Sequence, residues 1–296
     1  MHKNLVRALR LPFVSASILP FLFGSFIRRE NFNLLGFLFG LIAAVATHLS
    51  ANLINDYADS KSGADWQDCR FYTFFGGSKL IQEKVYSQNF YLVAAITAAA
   101  CSALAVVALA LVLKSLSVIG FYLAIILLSW SYSEKPLQFS YRRLGELIIF
   151  ILFGPALVMG AYFIQTGVFP DMRSFVLSLP FGFFTTSILF ANEVPDFTGD
   201  KQAGKMTWVS LVGQKKAFVL YYVLIFFGFA SIFLAVLLGY LSWDALFSLI
   251  FIIPAFKAAN ILRQFPGDKL KLMQSSQLTI TIQAWVGIVL IIGILI

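Results

Sequence analysis

Two short windows of this sequence concentrate acidic and amide side chains, the residue types that bind hard cations through oxygen. Residues 52–68 and 192–205 hold seven of the 14 Asp and Glu residues. Each window starts with an Asn that follows an Ala, and continues with an Asp four residues later, an aromatic residue next to it and a Lys further on. One such cluster could be a solvated loop, but two similar clusters half a chain apart favour a functional site.

The spacing within each window predicts a row of oxygen atoms along one helical face. Side chains four residues apart are neighbours on a helix, which pairs Asn55 with Asp59 and joins Asn192, Asp196 and Asp200 into a row. Like charges on one face repel, and bound divalent cations compensate for that repulsion. Because Mg²⁺ prefers carboxylate oxygens together with substrate phosphates, the two rows predict Mg²⁺ bridging a diphosphate.

Basic residues near the same windows could hold phosphate oxygens by charge-assisted hydrogen bonds. Lys79, Lys135 and Arg142 are embedded among turn residues and aromatics, which favours a function over an ordinary surface position. Lys201 lies inside the second window, and Tyr132 opens the segment that contains Lys135 and Arg142. We expect this set to contact the diphosphate.

The composition requires the helices that position these residues to lie in a membrane. Of 296 residues, 59% are hydrophobic and only 12% are charged, whereas a soluble domain carries about 25% charged residues. Nine segments are apolar over close to the roughly 20 residues that cross the hydrocarbon layer. They are 11–27, 34–53, 90–113, 116–133, 145–166, 174–193, 217–240, 244–262 and 276–296. We therefore predict one all-α domain over residues 1–296, with nine transmembrane helices around a central cavity that opens on the cytoplasmic side.

The distribution of basic residues predicts the orientation of these spans. The N-terminus and the four loops on its side carry 17 of the 22 Lys and Arg residues, while the opposite face carries four. Positive residues are enriched in cytoplasmic loops, so the N-terminus is expected in the cytoplasm and the C-terminus outside the plasma membrane. The net charge of +8 follows from this bias and suits anionic lipid headgroups. No basic domain that could bind nucleic acid stands out.

The two windows resemble the motifs of the UbiA-type intramembrane prenyltransferases. The run Asn-Asp-Tyr-Ala-Asp at 55–59, followed by Gly-Ala-Asp at 63–65, is similar to the first Asp-rich motif of that family. Residues 192–200, followed by Gly-Lys-Met-Thr at 204–207, are similar to the second. Residues 132–146 resemble the capping loop between helices 4 and 5. The resemblance covers most of the chain and implies an integral-membrane transferase.

One position departs from the general family pattern, in which Asn and two Asp residues follow each other at intervals of four. Gly63 stands where the last Asp would fall, and Asp65 lies two residues further on. Together with residues 76–83 (Gly-Gly-Ser-Lys-Leu-Ile-Gln-Glu), this variant resembles the branch that prenylates 1,4-dihydroxy-2-naphthoate for menaquinone. The departure leaves open whether Asp56 or Asp65 contacts the metal directly.

The resemblance also implies roles for individual residues. Asn55 and Asp59 would hold one Mg²⁺, and Asp196 and Asp200 a second, so that these four serve catalysis. The full set of implied metal ligands is Asn55, Asp56, Asp59, Asp65, Asn192, Asp196 and Asp200. The implied ligands of the prenyl diphosphate are Lys79, Tyr132, Lys135, Arg142 and Lys201. The implied reaction transfers a polyprenyl group to an aromatic ring carbon, with loss of CO₂ if the acceptor is dihydroxynaphthoate.

Two other interpretations remain open at this point. A secondary transporter would also carry intramembrane acids and a duplicated half, although these acids lie at one membrane edge rather than near the midplane. Within the prenyltransferases, the acceptor could instead be 4-hydroxybenzoate, homogentisate, a porphyrin-type alcohol or a glycerol lipid.

Overall fold

The computed structural model describes residues 2–30 and 32–296, and all regular secondary structure in those ranges is helical. A π-helical turn, Leu152–Ala156, joins the helices Gly145–Ile151 and Leu157–Thr166, and a 3₁₀ segment, Trp243–Phe251, leads into the helix Ile252–Gln264. The helices are α1 (His2–Ala8), α2 (Ser15–Phe26), α3 (Leu34–Ser62), α4 (Gln88–Leu113), α5 (Ser117–Ser131), α6 (Gly145–Ile151), α7 (Leu157–Thr166), α8 (Met172–Gln202), α9 (Trp208–Val212), α10 (Ala217–Leu237), α11 (Ile252–Gln264) and α12 (Lys269–Leu295).

Seven helical segments are long and apolar enough to cross a membrane. They are Leu34–Ser62, Gln88–Leu113, Gly145–Thr166, Met172–Gln202, Gln214–Leu237, Trp243–Gln264 and Lys269–Leu295. Two further apolar helices, Leu11–Phe26 and Ser117–Ser131, are shorter. All nine predicted segments are therefore helical or nearly so, and the all-α class is confirmed. The count of nine spans and the cytoplasmic opening remain predictions.

The two helices that carry the acidic windows are longer than the predicted spans. The span predicted at 34–53 continues as helix to Ser62, and the one predicted at 174–193 continues to Gln202. The prediction ended both helices where polar residues begin. The polar residues remain helical because much of their surface is buried inside the protein.

Polar side chains fix the starts of these two helices. The Asn33 side chain accepts a 2.9 Å hydrogen bond from the Gly36 N–H at the start of α3. The Asp171 side chain accepts one of 2.6 Å from the Ser174 N–H at the start of α8. Such caps satisfy backbone donors that have no partner within the helix. Gly63, with a φ of 90°, then ends α3 in the left-handed conformation that glycine adopts readily.

Helix α8 lies at the centre of the bundle. It packs against α2, α6, α7, α10 and α12, and 78% of its most apolar stretch is buried, compared with 50% or less in the other six candidate spans. Close helix packing depends on glycine at the contacts. A Cβ on Gly154 would lie 2.9 Å from the Cα of Gly182 in α8, and a Cβ on Gly24 in α2 would overlap the carbonyl oxygen of Val158 in α7.

The loops that precede and follow these helices meet on one side of the molecule. Arg7 near the N-terminus forms a bidentate ion pair with Glu83, with N–O distances of 2.7 and 2.9 Å. Lys269 at the start of α12 contacts Asp68 at 2.8 Å. The Arg143 N–H donates a 2.8 Å hydrogen bond to the Met206 carbonyl. Each of the five segments that the basic-residue count assigned to one face thus contacts another of the five.

Candidate active site

A cavity of about 930 Å³ lies beneath these loops, and helices α3 and α8 contribute to its wall. The Asn, Asp and Glu side chains that α3 and α8 present to it all come from the two acidic windows. From α3 these are Asn52, Asn55 and Asp59, and from α8 they are Asn192, Glu193, Asp196 and Asp200. The two predicted rows of oxygen atoms therefore share one cavity, although half the chain separates them in sequence.

A single lysine connects the two rows. The Nζ atom of Lys205 lies 3.6 Å from Oδ2 of Asp59 and 3.8 Å from Oδ1 of Asp200. The Tyr141 hydroxyl donates a 3.1 Å hydrogen bond to the other carboxylate oxygen of Asp59. Burial would lower the pKa of Lys205, but the carboxylates of Asp200 and Asp59 outweigh burial and raise it well above its usual value. Lys205 is therefore a permanent positive charge between the two windows.

A second lysine neutralises Asp65 at the edge of the cavity. Lys79, which is 4% exposed, places Nζ 3.0 Å from Oδ1 of Asp65 and 2.9 Å from the Asp65 carbonyl oxygen. Burial and the negative charge of Asp59 raise the pKa of Asp65, and Lys79 opposes that rise. A Cβ on Gly77, where φ is +75°, would lie 2.6 Å from Oδ2 of Asp65. Glycine at this position lets the loop approach the carboxylate.

The loop between α3 and α4, which contains Gly77, also contacts α8. The backbone N–H of Gly76 donates a 2.9 Å hydrogen bond to Oδ2 of Asp196. A hydrogen bond to a carboxylate from a backbone amide fixes its orientation. The segment between α3 and α4 thus contacts the acids of both windows.

Asp56 lies outside the cavity lining, unlike the other six predicted metal ligands. Its carboxylate forms an ion pair with Arg10 and accepts a 3.3 Å hydrogen bond from the Ser78 N–H. Asp56 is only 2% exposed, so this pairing satisfies a charge that would otherwise be costly to bury. The sequence left open whether Asp56 or Asp65 contacts the metal, and of these two acids only Asp65 lines the cavity.

Three of the five predicted diphosphate ligands also lie outside the cavity lining. Lys135, Arg142 and Lys201 are exposed, and the Arg142 guanidinium donates a 2.9 Å hydrogen bond to the carbonyl of Pro136. The prediction relied on their position in polar loops, which does not determine the direction of a side chain. Lys79 and Tyr132 do line the cavity.

The cations that do line the cavity include three that the sequence analysis did not select. Arg10, Lys205 and Lys269 all contribute to the wall. Lys205 belongs to the Gly-Lys-Met-Thr run of the second motif, and this membership was the signal that could have identified it. Arg10 and Lys269 are far in sequence from the windows, and only the fold brings them there.

The residues at the end of the cavity that contains both acidic windows, which we call the polar end, fit a magnesium ion. The Oδ1 atom of Asn192 is buried without a hydrogen-bond partner among the described residues, and such an atom is costly unless a ligand contacts it. Within residues 2–30 and 32–296, no three His, Cys, Asp or Glu side chains form a metal site by themselves. An oxygen-rich set of Asn and Asp side chains that is completed by phosphate oxygens and water is the usual pattern for Mg²⁺.

The opposite end of the cavity is apolar. Towards the N-terminus of α3, the residues that line the wall change from Asn and Asp to small residues. On α8 they change to Ile188 and Leu189. The α3 residues at this end are Gly40, Ala43, Ala44 and Thr47. One cavity therefore offers oxygen atoms and cations at one end and a hydrocarbon surface at the other.

Similar sequences are found across most of this chain. The model of the UbiA prenyltransferase family matches residues 17–275. The UbiA prenyltransferase domain-containing protein 1 homolog of Drosophila melanogaster is 30% identical over 237 residues, which cover 78% of this chain and 64% of the relative. The chain spans a little less than two thirds of the length of such curated relatives.

Solved structures share the fold at low sequence identity. A UbiA homolog from Aeropyrum pernix K1 is similar with a TM-score of 0.67 and 15% identity, over 97% of this chain and 98% of that one. A UbiA homolog from Archaeoglobus fulgidus, bound to DMAPP and Mg²⁺, is similar with a TM-score of 0.59 and 14% identity, over 97% and 98% of the two chains.

Proposed function

The chain belongs to the UbiA prenyltransferase family, and on that premise we propose that it transfers a polyprenyl group from a polyprenyl diphosphate to an aromatic acceptor. The observation that carries this proposal is the amphiphilic cavity. A polyprenyl diphosphate has a multiply charged head and a long hydrocarbon tail, and the cavity has carboxylates and lysines at one end and an apolar wall at the other.

The diphosphate would bind at the polar end with a divalent metal. Asn55 and Asp59 from α3, with Asn192, Asp196 and Asp200 from α8, would hold Mg²⁺, and two ions would occupy the two rows. When bound, the metal neutralises the charge that develops on the leaving diphosphate. The Archaeoglobus fulgidus homolog bound to DMAPP and Mg²⁺ supports the choice of both ligands.

The cations of this chain would hold the phosphate oxygens that the metal leaves free. Lys79 and Lys205 lie in the cavity wall and are fixed by Asp65, Asp59 and Asp200. Tyr132 lines the same wall and could donate a hydrogen bond. Pre-placed charges of this kind stabilise the leaving group most when its charge is greatest.

The apolar end would hold the isoprenoid tail and keep water away from the allylic carbon. Small side chains on α3 leave room there, and Phe153 and Ile188 contribute to the same wall. Exclusion of water matters because an allylic cation is captured by water as readily as by a ring carbon. The length of isoprenoid tail that fits is measured in the assay with prenyl diphosphates of several lengths.

For the acceptor, we propose 1,4-dihydroxy-2-naphthoate, prenylated with loss of CO₂ in menaquinone biosynthesis. The support is the resemblance of residues 55–65 and 76–83 to that branch. Curated relatives are named UbiA prenyltransferase domain-containing protein 1, so another quinone precursor such as 4-hydroxybenzoate or homogentisate is the alternative acceptor. The charge distribution supports a plasma-membrane location with the polar end facing the cytoplasm.

The test is a transfer assay with purified protein in lipid nanodiscs. Radiolabelled prenyl diphosphates of several lengths are combined with Mg²⁺ and each candidate acceptor, and the Asp59→Asn, Asp196→Asn double variant serves as the control. We expect a prenylated product with dihydroxynaphthoate from the wild type and none from the control. Product with a different acceptor alone would replace the proposed substrate. No transfer to any acceptor, in protein that still binds prenyl diphosphate, would reject the function.

A further inference from the structure

The boundary between the polar and apolar ends of the cavity falls at one residue of α3. The residues of α3 that line the cavity before this point are small or apolar, and those after it include Asn52, Asn55 and Asp59. His48 lies between the two groups and is itself in the wall. It precedes Asn52 by one helical turn, roughly 6 Å along the helix axis.

The position of His48 matters because the reacting bond of the proposed substrate also lies between a polar part and an apolar part. In a prenyl diphosphate the allylic C–O bond joins the charged head to the hydrocarbon tail. With the head among the carboxylates and the tail in the apolar end, that bond falls near the boundary. A side chain at this point can reach both the allylic carbon and the ring that attacks it.

The surroundings of His48 hold its ring in place and leave one nitrogen free. The Nδ1 atom lies 2.5 Å from the hydroxyl oxygen of Ser17 on α2. The ring of Phe153 packs edge-on against the imidazole, with 5.2 Å between centroids and an interplanar angle of 86°. His48 is only 7% exposed, and no hydrogen bond joins its Nε2 to a described residue. Nε2 is not among the fully buried side-chain atoms that lack a partner, so it keeps some accessible surface, and His48 lines the cavity.

We propose that Nε2 of His48 contacts the hydroxyl of the aromatic acceptor and takes its proton as the ring carbon attacks. This inference rests on the proposed prenyl transfer and assigns to that reaction a catalytic residue and an acceptor class, aromatic rings that carry a hydroxyl. The tautomer required has the proton on Nδ1, which donates to the Ser17 oxygen, so that the Nε2 lone pair faces the cavity.

The proton and electron balance of the step closes within the site. The acceptor hydroxyl gives its proton to Nε2, its oxygen becomes a carbonyl, and the ring carbon forms a bond to the allylic carbon. The allylic C–O bond breaks, and its electron pair leaves on the diphosphate. When the attacked carbon carries a carboxylate, CO₂ departs, its bonding electrons restore the aromatic ring, and the carbonyl oxygen takes the proton back from Nε2.

Two substitutions separate proton transfer from acceptor binding. His48→Gln retains a polar group that can contact the acceptor hydroxyl but cannot take its proton at neutral pH. We expect its KM for the acceptor to stay within threefold of wild type and its kcat to fall about 10²- to 10³-fold, within the usual range for a general base. His48→Phe removes the contact as well, so its acceptor KM is expected to rise at least tenfold.

The experiment measures kcat and KM for the acceptor together with the Kd for prenyl diphosphate in the absence of acceptor. An unchanged Kd shows that the variants fold and that the polar end is intact.

Ser102→Ala is the matched control, because Ser102 is buried against α3 outside the cavity wall and contacts Thr47. The kinetics of Ser102→Ala should equal those of wild type. A kcat of His48→Gln within threefold of wild type would overturn the proposal, and so would an unchanged acceptor KM in His48→Phe. If the wild type transfers no prenyl group at all, the proposed function fails and this inference falls with it.

Discussion

Asp59 on α3 and Asp200 on α8 contact the same ammonium group, that of Lys205, at 3.6 and 3.8 Å. The two carboxylates belong to windows that are half a chain apart in sequence, and the shared lysine fixes both at one end of one cavity. A cation at this point lies where the head of an anionic substrate would bind.

Replacing Lys205 should impair the reaction, whereas replacing Lys201 should not. Lys205→Met removes the cation between Asp59 and Asp200, and hydrogen bonds to charged groups contribute about 1.5–3 kcal/mol. We expect kcat/KM for prenyl diphosphate to fall about 10- to 100-fold. Lys201→Met is the matched control, because Lys201 is exposed and lies four residues earlier. Equal losses in the two variants would mean that the cavity contact has no special role.

Neutralising either of two acids, one in each window, should strongly reduce turnover. Asp59→Asn and Asp196→Asn keep the size of each side chain but remove a charge that would bind metal, and we expect kcat to fall by at least about 10²-fold. Asp244→Asn, an exposed acid away from the cavity, is the control and should behave as wild type. Activity near wild type in Asp59→Asn or Asp196→Asn would remove that residue from the proposed metal site.

Chelation should stop the reaction reversibly. The proposed ligands are Asn and Asp oxygens, which suit Mg²⁺ and bind it with waters and phosphates rather than as a closed cage. We expect EDTA to eliminate product formation and added Mg²⁺ to restore it, with Ca²⁺ less effective because it prefers more ligands at longer distances. Turnover that persists in excess EDTA contradicts a metal site at this end of the cavity.

The close contact between α2 and α7 should make Gly24 sensitive to substitution. The Cβ of an alanine at Gly24 would overlap the backbone carbonyl of Val158, and a backbone atom cannot move aside as a side chain can. Overpacking of this kind costs about 1–3 kcal/mol, which should lower the thermal unfolding midpoint measured in detergent. Gly160→Ala on α7 meets no atom within 4 Å and is the control. A midpoint for Gly24→Ala equal to that of the control would contradict the close approach.

The acidic rows could be predicted from sequence because their information is local. The spacing of four residues in Asn192, Asp196 and Asp200 determines that they share a helical face, and the structure has all three in the cavity wall. The family motifs indicated that both windows belong to one site. The helix ends were underestimated because a polar residue in a cavity wall looks the same in sequence as a polar residue in a loop.

The cationic partners could not be predicted in the same way because they depend on tertiary contacts. Arg10 binds Asp56 from another segment, 46 residues away, and Asp56 is absent from the cavity wall. Lys135 and Arg142 lie in a predicted polar loop as expected, but their side chains do not reach the cavity. Local pattern determines which helical face a residue occupies, whereas the direction of a loop side chain depends on the packing of the whole bundle.

The carboxylates at the polar end already have protein counter-ions: Lys205 for Asp59 and Asp200, and Lys79 for Asp65. These three acids therefore have a positive partner within the fold without a metal. Under the proposed function, magnesium and diphosphate would enter a site whose acids are already paired, so loading of the site would be a step separate from folding.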